Sequence, residues 1–400
     1  DGLQGRYGIE EYFNEFLKGV HGSAKIEQDS LGRPILIGNR NIVPAEHGAD
    51  LTLTLDRGIQ FFACEALNEA VKKHDATGGS VVILEPNTGK ILAMCSNPNF
   101  DPNAYEQIEN LAVFNNEVIF GAWEPGSIFK TITMAAAIDA EKILPTTKYQ
   151  DKGSLFIDQF TIKNADDKVY GWQDMTQVLA QSINTGAVFA AQKLGVELFT
   201  QYLEKFGFGE KTGLELPGEV NGDISSLKNK RDIYSATASY GQGIMATPLQ
   251  MAMAYATIAN GGTLFKPYIV EKLAMPNNEV IESKPVIVRQ VISEKTSLLV
   301  KHMLESVVKD GHGKRAAVPG YTVGGKTGTA QVAKKNEKGY EESITIGSFV
   351  GFAPLDKPAF VAAVRIDNPK DVIWAESTAA PLFGKIAKFV LEYLEVPKER

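Results

Sequence analysis

Strand-like segments stand near both ends of this chain, and a domain that opens and closes in strands must pair them across everything that lies between. The first is a hairpin, Ser80–Leu84 and Ile91–Ser96, joined by the turn Pro86-Asn87-Thr88-Gly89. The second is a run of three strand patterns on short connections, Tyr321–Val332, Ile344–Ala353 and Ala359–Asp367, followed by a helix over Ser377–Leu394. A helix over Arg57–Lys73 precedes the hairpin, and residues 101–260 read as helix-rich and loop-rich. The pattern predicts an α+β fold: one central antiparallel sheet whose early and late strands pair, flanked by terminal helices and joined to a helical lobe. A cleft between sheet and lobe is the natural place for chemistry.

At 400 residues the chain exceeds one ordinary core of ~100–200 residues, so a large domain with an appendage is expected. Residues 1–50 hold a short aromatic helix, Ile9–Leu17, turn signals at Asp29–Gly32 and Gly38–Asn41, and a strand-like run at Pro34–Ile37. That is too little for a core, and it reads as the end of a second module. The large domain runs over 51–396, opening on the alternation Leu51-Thr52-Leu53-Thr54-Leu55. The start at Asp1, without Met, reads as a removed beginning.

Charge narrows the function. With 41 basic and 48 acidic residues the net charge is −7, which leaves no excess of Lys and Arg for a nucleic-acid partner. The longest uncharged run, Ile233–Phe265, is broken by Gly241, Gly243, Pro248 and Asn260 and reads as a buried wall of a globular domain, not a membrane span. Cys64 and Cys95 lack a C-x-x-C spacing and read as two buried small apolar side chains. The five histidines form no H-E-x-x-H and no i, i+4 pair, so no metal site is expected, and all five read as structural or surface residues.

Three short motifs carry the chemistry. Pro125-Gly126-Ser127-Ile128-Phe129-Lys130 leads into good helix formers, so a helix starts near Ser127 and the Lys130 amine can reach the Ser127 hydroxyl at i, i+3. A hydroxyl needs a base, and a buried lysine beside another cation is neutral enough to be one. Taken alone, S-x-x-K also describes a cap serine with a solvated lysine. Ser182-Ile183-Asn184 falls between two apolar helical stretches, where a loop turns Ser182 and Asn184 one way, one to relay a proton and the other to bond a substrate amide. Lys326-Thr327-Gly328-Thr329 lies in a strand pattern rich in glycine, the mark of a close approach by another backbone or ligand. On an edge strand it would take an extended peptide as an added strand, with Lys326 for a carboxylate and the Thr329 and Ser127 N–H groups as an oxyanion hole.

Two lookalikes compete. Gly320–Thr327 satisfies the phosphate-loop pattern G-x-x-x-x-G-K-[ST], but polar Gly311–Pro319 precedes it and Val332–Asn336 leads into a charged turn, without the strand before and helix after that a phosphate cradle needs. Gly241-Gln242-Gly243-Ile244-Met245-Ala246 satisfies G-x-G-x-x-A, but no clear strand precedes it, and a tight turn before a helix at Pro248–Ile258 explains it.

S-x-x-K, S-x-N and K-T-G in that order are far more specific than any one of them. Together they resemble the penicillin-binding proteins and serine β-lactamases. Glu124–Lys130, Tyr240–Gln250 and Lys326–Gln331 look like class B penicillin-binding proteins; Gly351-Phe352-Ala353-Pro354 and Gly8–Gly19 look similar to the division-type and sporulation-type members. Ile183 stands where β-lactamases often carry Asp. The resemblance implies the penicillin-binding transpeptidase fold after the remnant of a pedestal (dimerisation-type) module, and a peptidoglycan D,D-transpeptidase. Ser127 would be the nucleophile, Lys130 its base, Ser182 and Asn184 the loop partners, and Lys326 with Thr327, Gly328 and Thr329 the binding strand. It implies no cofactor, stem peptides as substrate, β-lactams as inhibitors, and a membrane-embedded glycan polymerase with divisome or elongation proteins as partners. A single-pass anchor would hold this part outside the cytoplasm. The alternatives are a D,D-carboxypeptidase, a β-lactamase or a β-lactam-sensing domain of the same fold, and at a distance a P-loop NTPase.

Overall fold

The computed structural model describes residues 4–35, 37, 39–334 and 339–399. The chain divides into two compact units, one holding the residues up to Thr54 with Glu215–Pro217 and Tyr268–Lys284, the other the remainder.

In the smaller unit the aromatic helix expected over Ile9–Leu17 is two short helices, Gly8–Tyr12 and Asn14–Leu17. The break falls at Phe13, whose backbone (φ −100°, ψ 17°) leaves the helical region between them; the Asn14 side-chain oxygen accepts the Gly5 N–H at 2.9 Å. Ser23–Ile26 pairs with Arg40–Val43, and Asp50–Leu53 and Val280–Glu282 flank Val270–Ala274 in a three-stranded antiparallel sheet. The run Pro34–Ile37 includes Leu36, outside the described residues; Pro34 itself bridges Gln28.

The larger unit is built on β1 (Gly78–Leu84), β2 (Ile91–Asn97), β3 (Gly324–Ala333), β4 (Tyr340–Ala353) and β5 (Phe360–Asp367). They form one antiparallel sheet in the order β3-β4-β5-β1-β2, and the pairing of β5 with β1 is the junction of late and early strands that the sequence pattern required. The charged turn expected beyond β3 falls partly outside the described residues. The helices that matter to the site are α1 (Arg57–Lys73), α2 (Lys130–Asp139), α3 (Met175–Ala180), α4 (Asn184–Leu194), α5 (Pro248–Ala259), α6 (Glu294–Lys309) and α7 (Ala379–Tyr393).

β1 is buried on both faces, as a central strand covered by helices must be. On one face Val81, Ile83, Ala93, Phe349, Phe360 and Val364 join Ile59, Ala63 and Leu67 of α1 and Phe383, Ile386 and Val390 of α7. Phe62 of α1 stacks on Phe389 of α7 with ring centroids 3.9 Å apart. α5 covers the other face and is buried at every position, which explains its largely apolar sequence. It starts on a capping box, the Thr247 hydroxyl accepting the Gln250 N–H and the Gln250 side chain accepting the Thr247 N–H, with Pro248 at the first helical position. α2 packs on α4 and α6 in the helical lobe.

Two further features depart from the sequence reading. The middle stretch contains two antiparallel pairs, Lys148–Asp151 with Gly171–Asp174 and Ser154–Ile157 with Phe160–Lys163. Strands of four residues are too short to leave a period in the sequence. Cys64 and Cys95 form a disulfide between α1 and β2. α1 crosses β2 so that their Cα atoms lie 5.4 Å apart, within bridging distance, whereas 31 residues of separation gave no local signal. The bridge closes a loop of 31 residues, so Cys64→Ala with Cys95→Ala should lower unfolding free energy by about 3.5 kcal/mol in denaturant titration. A double variant as stable as the parent would show that it closes nothing the fold needs.

Candidate active site

Ser127 sits on the turn that opens α2: Gly126–Phe129 form one 3₁₀ turn, and Lys130 begins the α-helix. Segments distant in sequence hold that turn from below. Gly126 donates its N–H to the Gly241 carbonyl at 3.0 Å, and Trp123 and Ala246 exchange both backbone bonds at 3.0 Å. The Glu124 carboxylate accepts the Gly243 N–H at 2.9 Å and the Tyr340 hydroxyl at 3.0 Å, and burial raises its pKa above the usual glutamate value. From α5, the buried Tyr255 hydroxyl donates to the Ile128 carbonyl at 2.7 Å and lies 2.8 Å from the Thr131 hydroxyl. Nothing in the sequence marked Tyr255 or Tyr340 for this. Gly241–Ala246 was legible as a turn, and its glycine has a second cause: φ at Gly241 is +81°, and a Cβ there would stand 2.3 Å from the Gly126 carbonyl oxygen.

Lys130 enters the interior completely buried. Its Nζ meets the Ser182 carbonyl at 2.5 Å, the Asn184 Oδ1 at 2.7 Å and the Ser182 hydroxyl at 3.2 Å. Two come from Ser182 in the loop between α3 and α4 and one from Asn184, the first residue of α4, so the loop and the helix start turn both residues one way. Ser182 adopts φ +55°, a left-handed conformation uncommon for a serine. Asn184 is oriented by its other end, Nδ2 donating to the Lys163 carbonyl at 2.9 Å. Among the described residues no hydrogen bond joins Lys130 to the Ser127 hydroxyl. The amine is turned to the loop, although the two residues share a helix face.

Burial, and after it the neighbouring Lys326 ammonium, holds the Lys130 pKa well below the ordinary lysine value. A neutral amine has two N–H groups and one lone pair. The Ser182 carbonyl and the Asn184 Oδ1 can only accept, so they take both N–H groups and leave the lone pair to a hydroxyl.

Lys326 lies on β3, the edge strand of the sheet, and is also completely buried. Its Nζ donates to the Thr327 carbonyl at 3.0 Å and meets the Thr327 hydroxyl at 3.4 Å. Burial pulls its pKa down to about 7, against the opposing pull of the Glu376 carboxylate. Glu376 is bonded by His312 Nδ1 at 2.9 Å, and the His312 N–H donates to the Ala180 carbonyl ahead of the Ser182 loop. His312 therefore belongs to the surroundings of the site, and no sequence spacing indicated it. β3 runs against the Ser127 turn, where a Cβ on Gly328 would lie 2.9 Å from the Pro125 carbonyl oxygen. The Thr329 hydroxyl accepts the Ala375 N–H at 3.0 Å. The Gly320–Thr327 string enters this edge strand and opens no helix, so the phosphate cradle lacks its defining part. Among the described residues no group of three or more His, Cys, Asp or Glu is placed to hold a metal ion.

The model of the penicillin-binding protein transpeptidase domain matches residues 79–388. Stage V sporulation protein D of Bacillus subtilis is 38% identical over 98% of this chain and 61% of its own length. Penicillin-binding protein PbpB of Mycolicibacterium smegmatis is 33% identical over 98% of this chain and 62% of its own length. The chain thus spans about three fifths of these curated relatives. Among solved structures, penicillin-binding protein 3 of Mycobacterium tuberculosis superposes with a TM-score of 0.87 at 30% identity, covering 99% of this chain and 87% of that one in its apo form, and 86% in its complexes with ampicillin and aztreonam.

The packing at Gly241 is directly testable. Gly241→Ala combines a left-handed backbone with a methyl driven into the Gly126 carbonyl, and should cost ~2–4 kcal/mol of stability in thermal or denaturant unfolding. An unchanged midpoint would show that the turn below Ser127 is not close-packed.

Proposed function

The chain belongs to the penicillin-binding protein transpeptidase family, and from that premise we propose that it is a peptidoglycan D,D-transpeptidase acting through an acyl-serine on Ser127. The observation that carries the reading is the buried Lys130 amine, held by Ser182 and Asn184 three residues from Ser127. The Ser127 hydroxyl attacks the carbonyl of the penultimate D-Ala of a stem peptide and passes its proton to the Lys130 lone pair. The C–N bond breaks, and the departing D-Ala nitrogen takes a proton through Ser182. An amine of a second stem peptide then attacks the ester, forming the cross-link and returning the proton to Ser127.

The edge strand serves as the substrate's partner strand. Lys326 and Thr327 receive the terminal carboxylate, Asn184 bonds the peptide amide, Gly328 lets the strand approach the turn, and the Thr329 and Ser127 N–H groups take the oxyanion. β-Lactams acylate Ser127 as mimics of the D-Ala-D-Ala end, a reading supported by the ampicillin complex of the M. tuberculosis protein. Residues 51–396 act as the transpeptidase domain, and 1–50 as the end of a pedestal. The protein is held at the cell membrane by a single-pass anchor outside these 400 residues, with this part on the periplasmic or cell-wall side. The Cys64–Cys95 bridge supports that side, since disulfides persist in oxidising compartments; among the described residues no helix is long and apolar enough to cross a membrane. The glycan strands to be tied together come from a membrane-embedded glycan polymerase working with divisome or elongation proteins.

Incubation with benzylpenicillin should add the whole mass of the antibiotic, located on the peptide containing Ser127 and stable for hours; rapid loss of the adduct would point to a β-lactamase. Ser127→Ala should take no label and remain folded. Lys130→Ala should acylate ~10²–10⁴-fold more slowly, and normal labelling of that variant would sink the base assignment. The two lysines also set a pH profile. Lys130 acts when neutral, above its lowered pKa, and Lys326 binds a carboxylate when charged, below about 7 in the free protein. The second-order acylation rate constant should therefore pass through a maximum, its alkaline limb moving out of range in Lys326→Arg, because guanidinium stays charged. An alkaline limb unchanged in that variant would assign it to another group.

A further inference from the structure

Beneath the Ser182–Asn184 loop lies a carboxylate that the proposed reaction does not use. Asp151 ends the strand Lys148–Asp151 and is only 2% exposed. No cation is paired with it among the described residues. Four neutral donors fill it instead: the Thr185 hydroxyl at 2.6 Å, the Tyr170 N–H at 2.7 Å, the Gly153 N–H at 3.0 Å and the Asn164 side-chain amide at 3.0 Å. Burial pushes the carboxyl up, yet these donors together hold its pKa below the usual aspartate value, so it is ionised at neutral pH. An unpaired buried charge is costly to keep where shape alone is needed.

Its donors are the neighbours of the catalytic loop. Thr185 follows Asn184 in the first turn of α4. Asn164 follows Lys163, whose carbonyl holds the Asn184 amide. The Asn164 Oδ1 in turn accepts the Thr185 N–H at 3.2 Å. Asp151 thus grips both segments flanking Asn184, the helix start that carries it and the strand that orients it. We propose that Asp151, acting through Thr185 and Asn164, is the positioning residue that keeps Asn184 Oδ1 aimed at Lys130 and so keeps the Lys130 lone pair available. The proposal rests on the reading of Lys130 as the base. Without the grip, the Asn184 amide can reverse. Its NH₂ then faces Lys130 and occupies the lone pair, and the ammonium form loses an acceptor.

Two effects follow that loosened packing would not produce together. The acylation rate plateau falls, and the acid limb of the profile moves to lower pH, because losing an acceptor disfavours the charged amine. The groups around this pair are few. Tyr149 and Tyr170 stand near Asp151, Lys326 is the charged neighbour of Lys130, and the tyrosines stay neutral across the range used.

The test measures second-order acylation by a fluorescent penicillin from pH 5 to 9 in the parent, Thr185→Val, Thr185→Ser and Asp151→Asn, alongside thermal unfolding. Thr185→Val keeps the shape and removes the donor. It should acylate ~10–100-fold more slowly at the plateau with its acid limb at lower pH, and Thr185→Ser should return to within about threefold of the parent. Asp151→Asn, if it folds, should match Thr185→Val; if it does not fold, the Thr185 pair decides alone. A folded Thr185→Val with the parent's rate, or with a slower rate but an unmoved acid limb, overturns the proposal. Full labelling of Ser127 at long times in these variants separates that failure from failure of the nucleophile reading, which an unlabelled parent would signal.

Discussion

A lysine amine buried in the domain's interior, with no carboxylate bonded to it among the described residues, is the constraint around which the site is arranged. In such a place an ammonium ion is expensive, and an amine with unmade hydrogen bonds is only somewhat less so. Lys130 answers both costs through one loop: the Ser182 carbonyl and the Asn184 amide oxygen accept from it. That requirement explains why helix α3 stops at Ala180 and α4 starts at Asn184, and why Ser182 tolerates a left-handed backbone. A continuous helix would point residues 182 and 184 to different sides and leave the amine unsatisfied.

A second constraint is the close approach of three backbones. The Ser127 turn is sandwiched between the Gly241 turn and the edge strand at Gly328, and at both contacts a single Cβ would meet a carbonyl oxygen inside van der Waals distance. The glycines therefore act at a distance from the reaction by letting rigid pieces touch. Tyr255 closes the third side from α5, its hydroxyl donating to the Ile128 carbonyl in the turn that opens α2. Since α5 is buried throughout and packed on the central strands, the position of the Ser127 turn is referenced to the sheet itself. Ser127, the Ser182 loop and the edge strand come from sequence positions far apart, and this packing fixes their separation.

What the sequence disclosed follows from how each feature is encoded. Ser127, Lys130, Ser182, Asn184 and Lys326 stand in short strings whose order is specific, and the central sheet appears as strand-like runs near both ends of the chain. The strand character of β3 and the close approach at its glycines were legible, whereas its place at the edge is set by tertiary pairing. Other features are made only by tertiary contact. Cys64 and Cys95 become partners because α1 crosses β2, and Asp151 and Thr185 meet because a four-residue strand folds under a helix start. The hairpins around residues 148–174 are too short to show a period, so the carboxylate they deliver was invisible. His312 was classed with the scattered histidines, and only its contact with Glu376 brings it near Lys326.

Two lysines share the site, both fully buried, and the proposed chemistry asks opposite things of them. The base must be neutral and the carboxylate binder charged, and their environments differ in the sense required. Lys130 has Lys326 as its charged neighbour and acceptors that are all neutral, so every electrostatic influence beyond its hydrogen bonds favours the amine. Lys326 feels the Glu376 carboxylate, which works against its burial and leaves it near the middle of the physiological range. Lys326 also acts on Lys130: a charge kept on Lys326 keeps Lys130 neutral. A substrate carboxylate arriving at Lys326 would stabilise that charge, and arrival of the correct substrate would thereby fix the protonation states of both lysines. On the proposed reading, selectivity for peptides with a free terminal carboxylate needs no separate gate, because the group recognised would also complete the electrostatics of the base.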